Sequence, residues 1–144
     1  METDKDIIAK NRKVLCIEDE IFIAELYKRA LTKHGYQVTV ISDGNEALKA
    51  AETDEYDIIL LDLMMPGWTG IDILRKLRNK AKIPPIKAKI IIATNLEQRD
   101  DVGQDIESRA DGYLVKAEIT PNELADFLDN IKWPVLLNKF AKMK

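Results

Sequence analysis

Apolar residues gather in five short runs, at residues 14–17, 36–41, 58–61, 90–93 and 113–115. Four of these runs are nearly continuous, which predicts strands covered on both faces, as in a parallel sheet. The second alternates apolar with polar residues and reads as an edge strand. Between the runs the period lengthens to that of a helix. After Glu20, the positions Ile23, Leu26, Tyr27, Ala30 and Leu31 predict one buried helical face, with Gly35 as the stop. Ala47, Leu48 and Ala51 outline a second helix after Asp43, and Ile71, Leu74 and Leu77 a third. A fourth pattern, around residues 100–108, offers only Val102 and Ile106, so it is the expected low-stability element. The fifth is the best marked. Thr120, Pro121 and Glu123 combine a capping box with a first-turn proline ahead of Leu124, Phe127, Leu128 and Ile131.

Five strand-then-helix units predict an α/β fold: a doubly wound three-layer sandwich with right-handed crossovers. Periodicity does not carry the strand order. The polar residues 1–12 are expected to form a flexible segment, with the domain over 13–132. Residues 133–144 read as an extension, either a short helix bearing Leu136, Phe140 and Met143 or a linker.

Composition narrows the function. A formal net charge of −3 and a pI near 5.3 argue against a binder of nucleic-acid backbone, which needs a basic surface. One cysteine rules out an internal disulfide and fits a reducing compartment; Cys16, inside the first run, reads as a core thiol. No apolar run approaches membrane-spanning length, so the expectation is a cytoplasmic protein. His34 alone cannot build a zinc centre and reads as a helix-end residue.

The informative feature is the polar group placed directly after each buried strand: Glu18-Asp19-Glu20 after the first, Asp62 after the third, Thr94 after the fourth, Lys116 after the fifth. Ligands of open α/β sheets bind at the carboxyl ends of strands, so these groups should share one rim. Asp62 stands between two apolar stretches, where an uncompensated carboxylate would be costly. Clustered acids repel, and a divalent cation with oxygen ligands, magnesium or calcium by ligand type, would relieve that repulsion and admit an anionic phosphoryl donor; the cofactor expected is Mg2+ (or Mn2+). Lys116 then supplies charge and Thr94 a hydroxyl donor to phosphoryl oxygens. The chemistry expected is phosphoryl transfer to a carboxylate.

The segments VLCIEDE, IILLDLMMPGWTGIDIL, IIIAT and ADGYLVKAEITPNEL resemble, in order, a receiver domain of a response regulator of two-component signalling. The resemblance implies a flavodoxin-like fold with a five-stranded parallel sheet of order 2-1-3-4-5 and five helices. It implies Asp62 as phosphoacceptor, Glu18, Asp19, Asp62 and the Met64 carbonyl as metal ligands, Thr94 and Tyr113 as a switch pair, and Lys116 as the phosphate contact. It further implies a phosphohistidine donor (a sensor kinase or histidine phosphotransfer protein), slow autodephosphorylation without true enzyme status, and homodimerisation through the face of the fourth helix, fifth strand and fifth helix. Three positions depart from the family pattern: Glu18 for the commoner Asp, Ala117 where proline usually follows the lysine, and Arg109 where glycine is usual.

Simpler readings compete at several positions. Asp43 and Asn95 are expected to cap the helices next in the chain, and Trp68 either packs its loop or meets a partner. Gly67 and Gly70 read as turn residues. Two other functions remain open: a receiver-shaped interaction module that is not phosphorylated, and an aspartate-nucleophile phosphatase. The phosphatase would want an acid two residues beyond Asp62, where this chain has Met64.

Overall fold

The structure, a computed structural model, describes residues 12–65, 67, 69–79, 81, 85–95 and 109–131. Its elements alternate as the sequence predicts: β1 Lys13–Ile17, α1 Ile21–Lys33, β2 Gln37–Ile41, α2 Gly44–Glu52, β3 Ile58–Leu61, α3 Gly70–Leu77, β4 Lys89–Thr94, β5 Gly112–Val115, a turn of 3-10 helix Lys116–Glu118, and α4 Pro121–Asp129. The fourth helical pattern and the 133–144 extension lie outside the described residues, as do residues 1–11 and Trp68. All strands are parallel in the order β2-β1-β3-β4-β5.

Continuous apolar strands are explained by two separate cores. Leu15, Ile17, Ile59, Leu61, Ile90 and Ile92 face α2 and α3. Val14, Cys16, Ile58, Leu60 and Ile91 face α1 and α4 instead. Successive strand residues point to opposite faces, so each strand needs apolar side chains at nearly every position. The chain order 2-1-3-4-5 then leaves helices on both faces, the three layers expected.

Local chemistry sets the ends. Thr120 and Glu123 form the capping box of α4, and Asp43 accepts from the Glu46 amide at 2.9 Å to cap α2. Gly35 adopts a φ of 94° after α1, a conformation that favours glycine. Asp54 holds a φ of 55° without being glycine, and its carboxylate accepts from the Lys87 and Ala88 amides, tying the end of α2 to the approach to β4.

Two helical assignments shift. Leu26 is half exposed, and the buried stripe of α1 runs through Ala24, Tyr27, Ala30 and Leu31 instead. At 100° per residue Leu26 lies on the flank of that stripe. Phe127 is likewise partly exposed, packed over Gly112, where a Cβ would come within 3.2 Å of its ring.

Candidate phosphoacceptor site

Parallel register delivers the site. Ile17 pairs with Leu61, and Leu61 with Ile92, so Glu18 and Asp62 leave adjacent strands side by side. Thr94 ends β4, and Lys116 comes directly after β5. Glu18, Asp62, Thr94 and Lys116 are the buried polar side chains among the described residues, and all four converge. Thr94 Oγ1 donates to Asp62 Oδ1 at 2.8 Å, and the Met64 amide donates to the same oxygen at 3.0 Å. Lys116 Nζ donates to Asp62 Oδ2 at 2.9 Å and to Glu18 Oε1 at 2.8 Å. Glu20, more exposed, approaches the same ammonium at 3.6 Å.

The backbone behind Asp62 is crowded. Gly70 opens α3 so close to it that an added Cβ would strike the Asp62 carbonyl oxygen and stand 2.6 Å from Leu63 Cα. The Gly70 amide donates to the Leu63 carbonyl at 3.1 Å. Close approach to Asp62 is thus a stronger constraint on Gly70 than the turn chemistry the sequence suggests.

Burial and pairing oppose each other in the charges. Burial pushes the Glu18 carboxyl above its ordinary range, against hydrogen bonds from Lys116 and the Glu20 amide. Burial pulls the Lys116 ammonium down, but hydrogen bonds to Glu18 and Asp62 together with their charges outweigh it, and the net displacement is upward. Lys116 is therefore a fixed cation. Cys16, pushed up to about 12 by burial and then by Glu18, is an inert thiol.

Oxygens of Glu18, Asp19 and Asp62 lie within 4.8 Å of one another. The three carboxylates outnumber the one ammonium of Lys116, with Glu20 a further acid at its edge, so the cluster carries excess negative charge. An all-oxygen donor set with that charge fits a divalent cation of the Mg2+ or Mn2+ type. In a second group, His34, Asp126 and Asp129, two members form a structural tie. His34 Nδ1 is 2.6 Å from one Asp129 oxygen, and the Tyr36 hydroxyl donates to the other at 2.8 Å. His34 thus joins α1 to α4, beyond the helix-end role expected of it.

Tyr113 packs half-buried against the α2–α3 core, paired with Ile92 and so on the same sheet face as Thr94. Asn95 makes a contact besides the cap expected of it. Its Oδ1 accepts from the Ala117 amide at 2.8 Å, a link between β4 and β5 that a capping pattern does not suggest. The helix it is expected to cap falls outside the described residues. Arg109 offers its carbonyl to Arg78 Nε at 3.0 Å.

A sequence model of the response regulator receiver domain matches residues 14–129. The chain belongs to this family. The receiver is 37% identical over 114 residues to the alkaline phosphatase synthesis transcriptional regulatory protein PhoP of Bacillus subtilis, a match covering 79% of this chain and 45% of that protein. The chain spans about half the length of the curated relatives it matches. Among solved structures, the receiver domain of Francisella response regulator 1452 superposes with a TM-score of 0.71 at 34% identity, over 83% of this chain and 94% of that one. Response regulator TrrA of Thermotoga maritima, solved in complex with Mg2+ and BeF, gives 0.65 at 34% identity, over 81% and 96%. The sandwich and the strand order expected of a receiver are thus present. No helix among the described residues is long and apolar enough to cross a membrane.

Proposed function

We propose that this receiver accepts a phosphoryl group on Asp62 from a phosphohistidine donor. One observation carries the reading: both Asp62 carboxylate oxygens, buried at the sheet rim, accept hydrogen bonds from a hydroxyl and an ammonium whose chemistry suits phosphoryl oxygens as well. Transfer forms an Asp62 Oδ–P bond as the donor's N–P bond breaks, and the departing imidazole takes up a proton. The product is an acyl phosphate. Lys116 holds a permanent positive charge against the incoming anion, and the Thr94 hydroxyl can turn from Asp62 Oδ1 to a phosphoryl oxygen.

Glu18, Asp19 and Asp62, with the Met64 carbonyl, are proposed to hold Mg2+ or Mn2+. When bound, the cation offsets carboxylate repulsion and the charge of the transferred group. The chain's own part is to present these oxygens from rigid strand ends.

Exposed apolar residues flank the site. Ile21 and Phe22 at the start of α1 are 73% and 87% exposed, and Met64 is 60% exposed. Such a rim supports docking of a protein donor, a sensor histidine kinase or a histidine phosphotransfer protein, rather than a small metabolite. A turn of Thr94 toward phosphate would open space on the face it shares with Tyr113, giving a switch on the fifth-strand side and a surface for homodimerisation.

Intact mass after treatment with acetyl phosphate and Mg2+ tests the reading. A phosphoryl-sized gain is expected in wild type and absent in Asp62→Asn. An equal gain in the variant would overturn the assignment.

A further inference from the structure

The ladder between β4 and β5 ends where Thr94 pairs with Val115. Lys116 then opens the 3-10 turn Lys116–Glu118, whose start carries no side-chain cap. At this point the Asn95 side chain takes over from the backbone, its Oδ1 accepting from the Ala117 amide at 2.8 Å. The two ends of that bond lie one residue beyond Thr94 and one beyond Lys116. Those are the residues that reach Asp62 Oδ1 and Oδ2. The donor exists because residue 117 is alanine; proline there would have no N–H to give.

We propose that Asn95 is a positioning residue for the Asp62 site. Holding the Ala117 amide fixes the direction in which Lys116 leaves β5, and so the approach of its ammonium to Asp62 and Glu18. The inference rests on the phosphoacceptor reading of Asp62. Lysine has a long stem with several rotatable bonds, so its head is only as well placed as the backbone that launches it. Asn95 and Ala117 are both exposed while Lys116 is buried, so the clasp works from outside the site. Being exposed, it competes with water, and its loss should slow phosphoryl uptake by about fivefold, the rate equivalent of one neutral hydrogen bond.

The test combines two measurements on the full chain. The rate of mass gain with acetyl phosphate and Mg2+ is compared in wild type, Asn95→Ala, Ala117→Pro and the double variant. Amide hydrogen exchange at Ala117 is followed in wild type, Asn95→Ala and Asn95→Asp. Asn95→Ala should slow uptake about fivefold while staying folded, with a single urea unfolding transition whose midpoint falls by no more than the loss of one hydrogen bond allows. Its Ala117 amide should exchange faster, whereas Asn95→Asp, which keeps the acceptor oxygen, should retain protection. In the Ala117→Pro background, removing the Asn95 side chain should change nothing further. An Asn95→Ala rate equal to wild type, or a slower rate with the Ala117 amide still protected, overturns the proposal. Should Ala117→Pro fail to fold, the exchange comparison decides alone. Absence of any gain in wild type defeats the acceptor reading and this inference with it; a labelled wild type matched by Asn95→Ala defeats only the positioning role.

Discussion

Lys116 Nζ and Asp62 Oδ2 meet at 2.9 Å, joining the chain just after β5 to the chain just after β3 across the breadth of β4. Both side chains are about 4% exposed, and the same ammonium also serves Glu18. Removing it would leave two buried carboxylates without their cation. Lys116→Met is therefore expected to destabilise the metal-free protein by about 3–5 kcal/mol, the usual cost of breaking a buried pair from one side. Urea unfolding in chelator measures it, and added Mg2+ should restore part of the loss through binding to the folded state.

Gly70→Ala is expected to disturb Asp62 from behind. Its Cβ would meet the Asp62 carbonyl oxygen, which as backbone cannot swing aside. A loss of about 1–3 kcal/mol from overpacking should appear together with slower phosphoryl uptake. Wild-type values for both in Gly70→Ala would show that α3 can shift without moving the acceptor.

Arg78, at the end of α3, donates to the carbonyls of Arg109, Ile86 and Ala88 and to the Asp111 carboxylate. The guanidinium gathers the approaches to β4 and β5 at the rim opposite the site. Arg78→Ala should cost about 3 kcal/mol, since several carbonyls lose a charged donor at once. Arg78→Lys should recover little, because a single ammonium cannot span the same fork. Urea midpoints of the two variants check this.

Tyr36 gives the clearest pH signature. Burial first, then its hydrogen bond to Asp129 and that residue's charge, raise the Tyr36 hydroxyl above its ordinary value of 10. With the folded-state value raised, the stabilising contribution is complete below pH 10. It is lost as pH climbs above 10, where the unfolded chain ionises and the folded one does not. The loss attributable to Tyr36 should approach about 1.4 kcal/mol per pH unit. Unfolding free energies of wild type and Tyr36→Phe should run parallel from pH 8 to 9, with wild type losing about 1.4 kcal/mol more by pH 11; parallel curves throughout would contradict the assignment.

Much of the fold is legible in the sequence because a parallel sheet buried on both faces leaves a simple trace: five apolar runs, each succeeded by a helical period. The four buried rim residues are legible for a related reason. A charge or hydroxyl placed directly after an apolar run, as with Asp62 after IILL or Thr94 after IIIA, is conspicuous against it. Leu26 misleads because adjacent apolar residues leave the exact centre of a helical stripe open. Tertiary relations leave no such trace. Nothing local shows that Asn95 meets Ala117, that Asp129 serves His34 and Tyr36, or that Gly70 backs onto Asp62. Each depends on elements distant in sequence or on a close approach of backbones, and only the folded sheet brings them together.

The most direct test of the central claim is to trap the acyl phosphate chemically. After exposure to acetyl phosphate and Mg2+, borohydride reduces an aspartyl phosphate to homoserine, and peptide mass spectrometry locates the residue changed. Conversion at position 62, dependent on both reagents, is the expected result. Conversion at another carboxylate, or an unaltered Asp62 in protein that has taken up phosphate, would contradict the account.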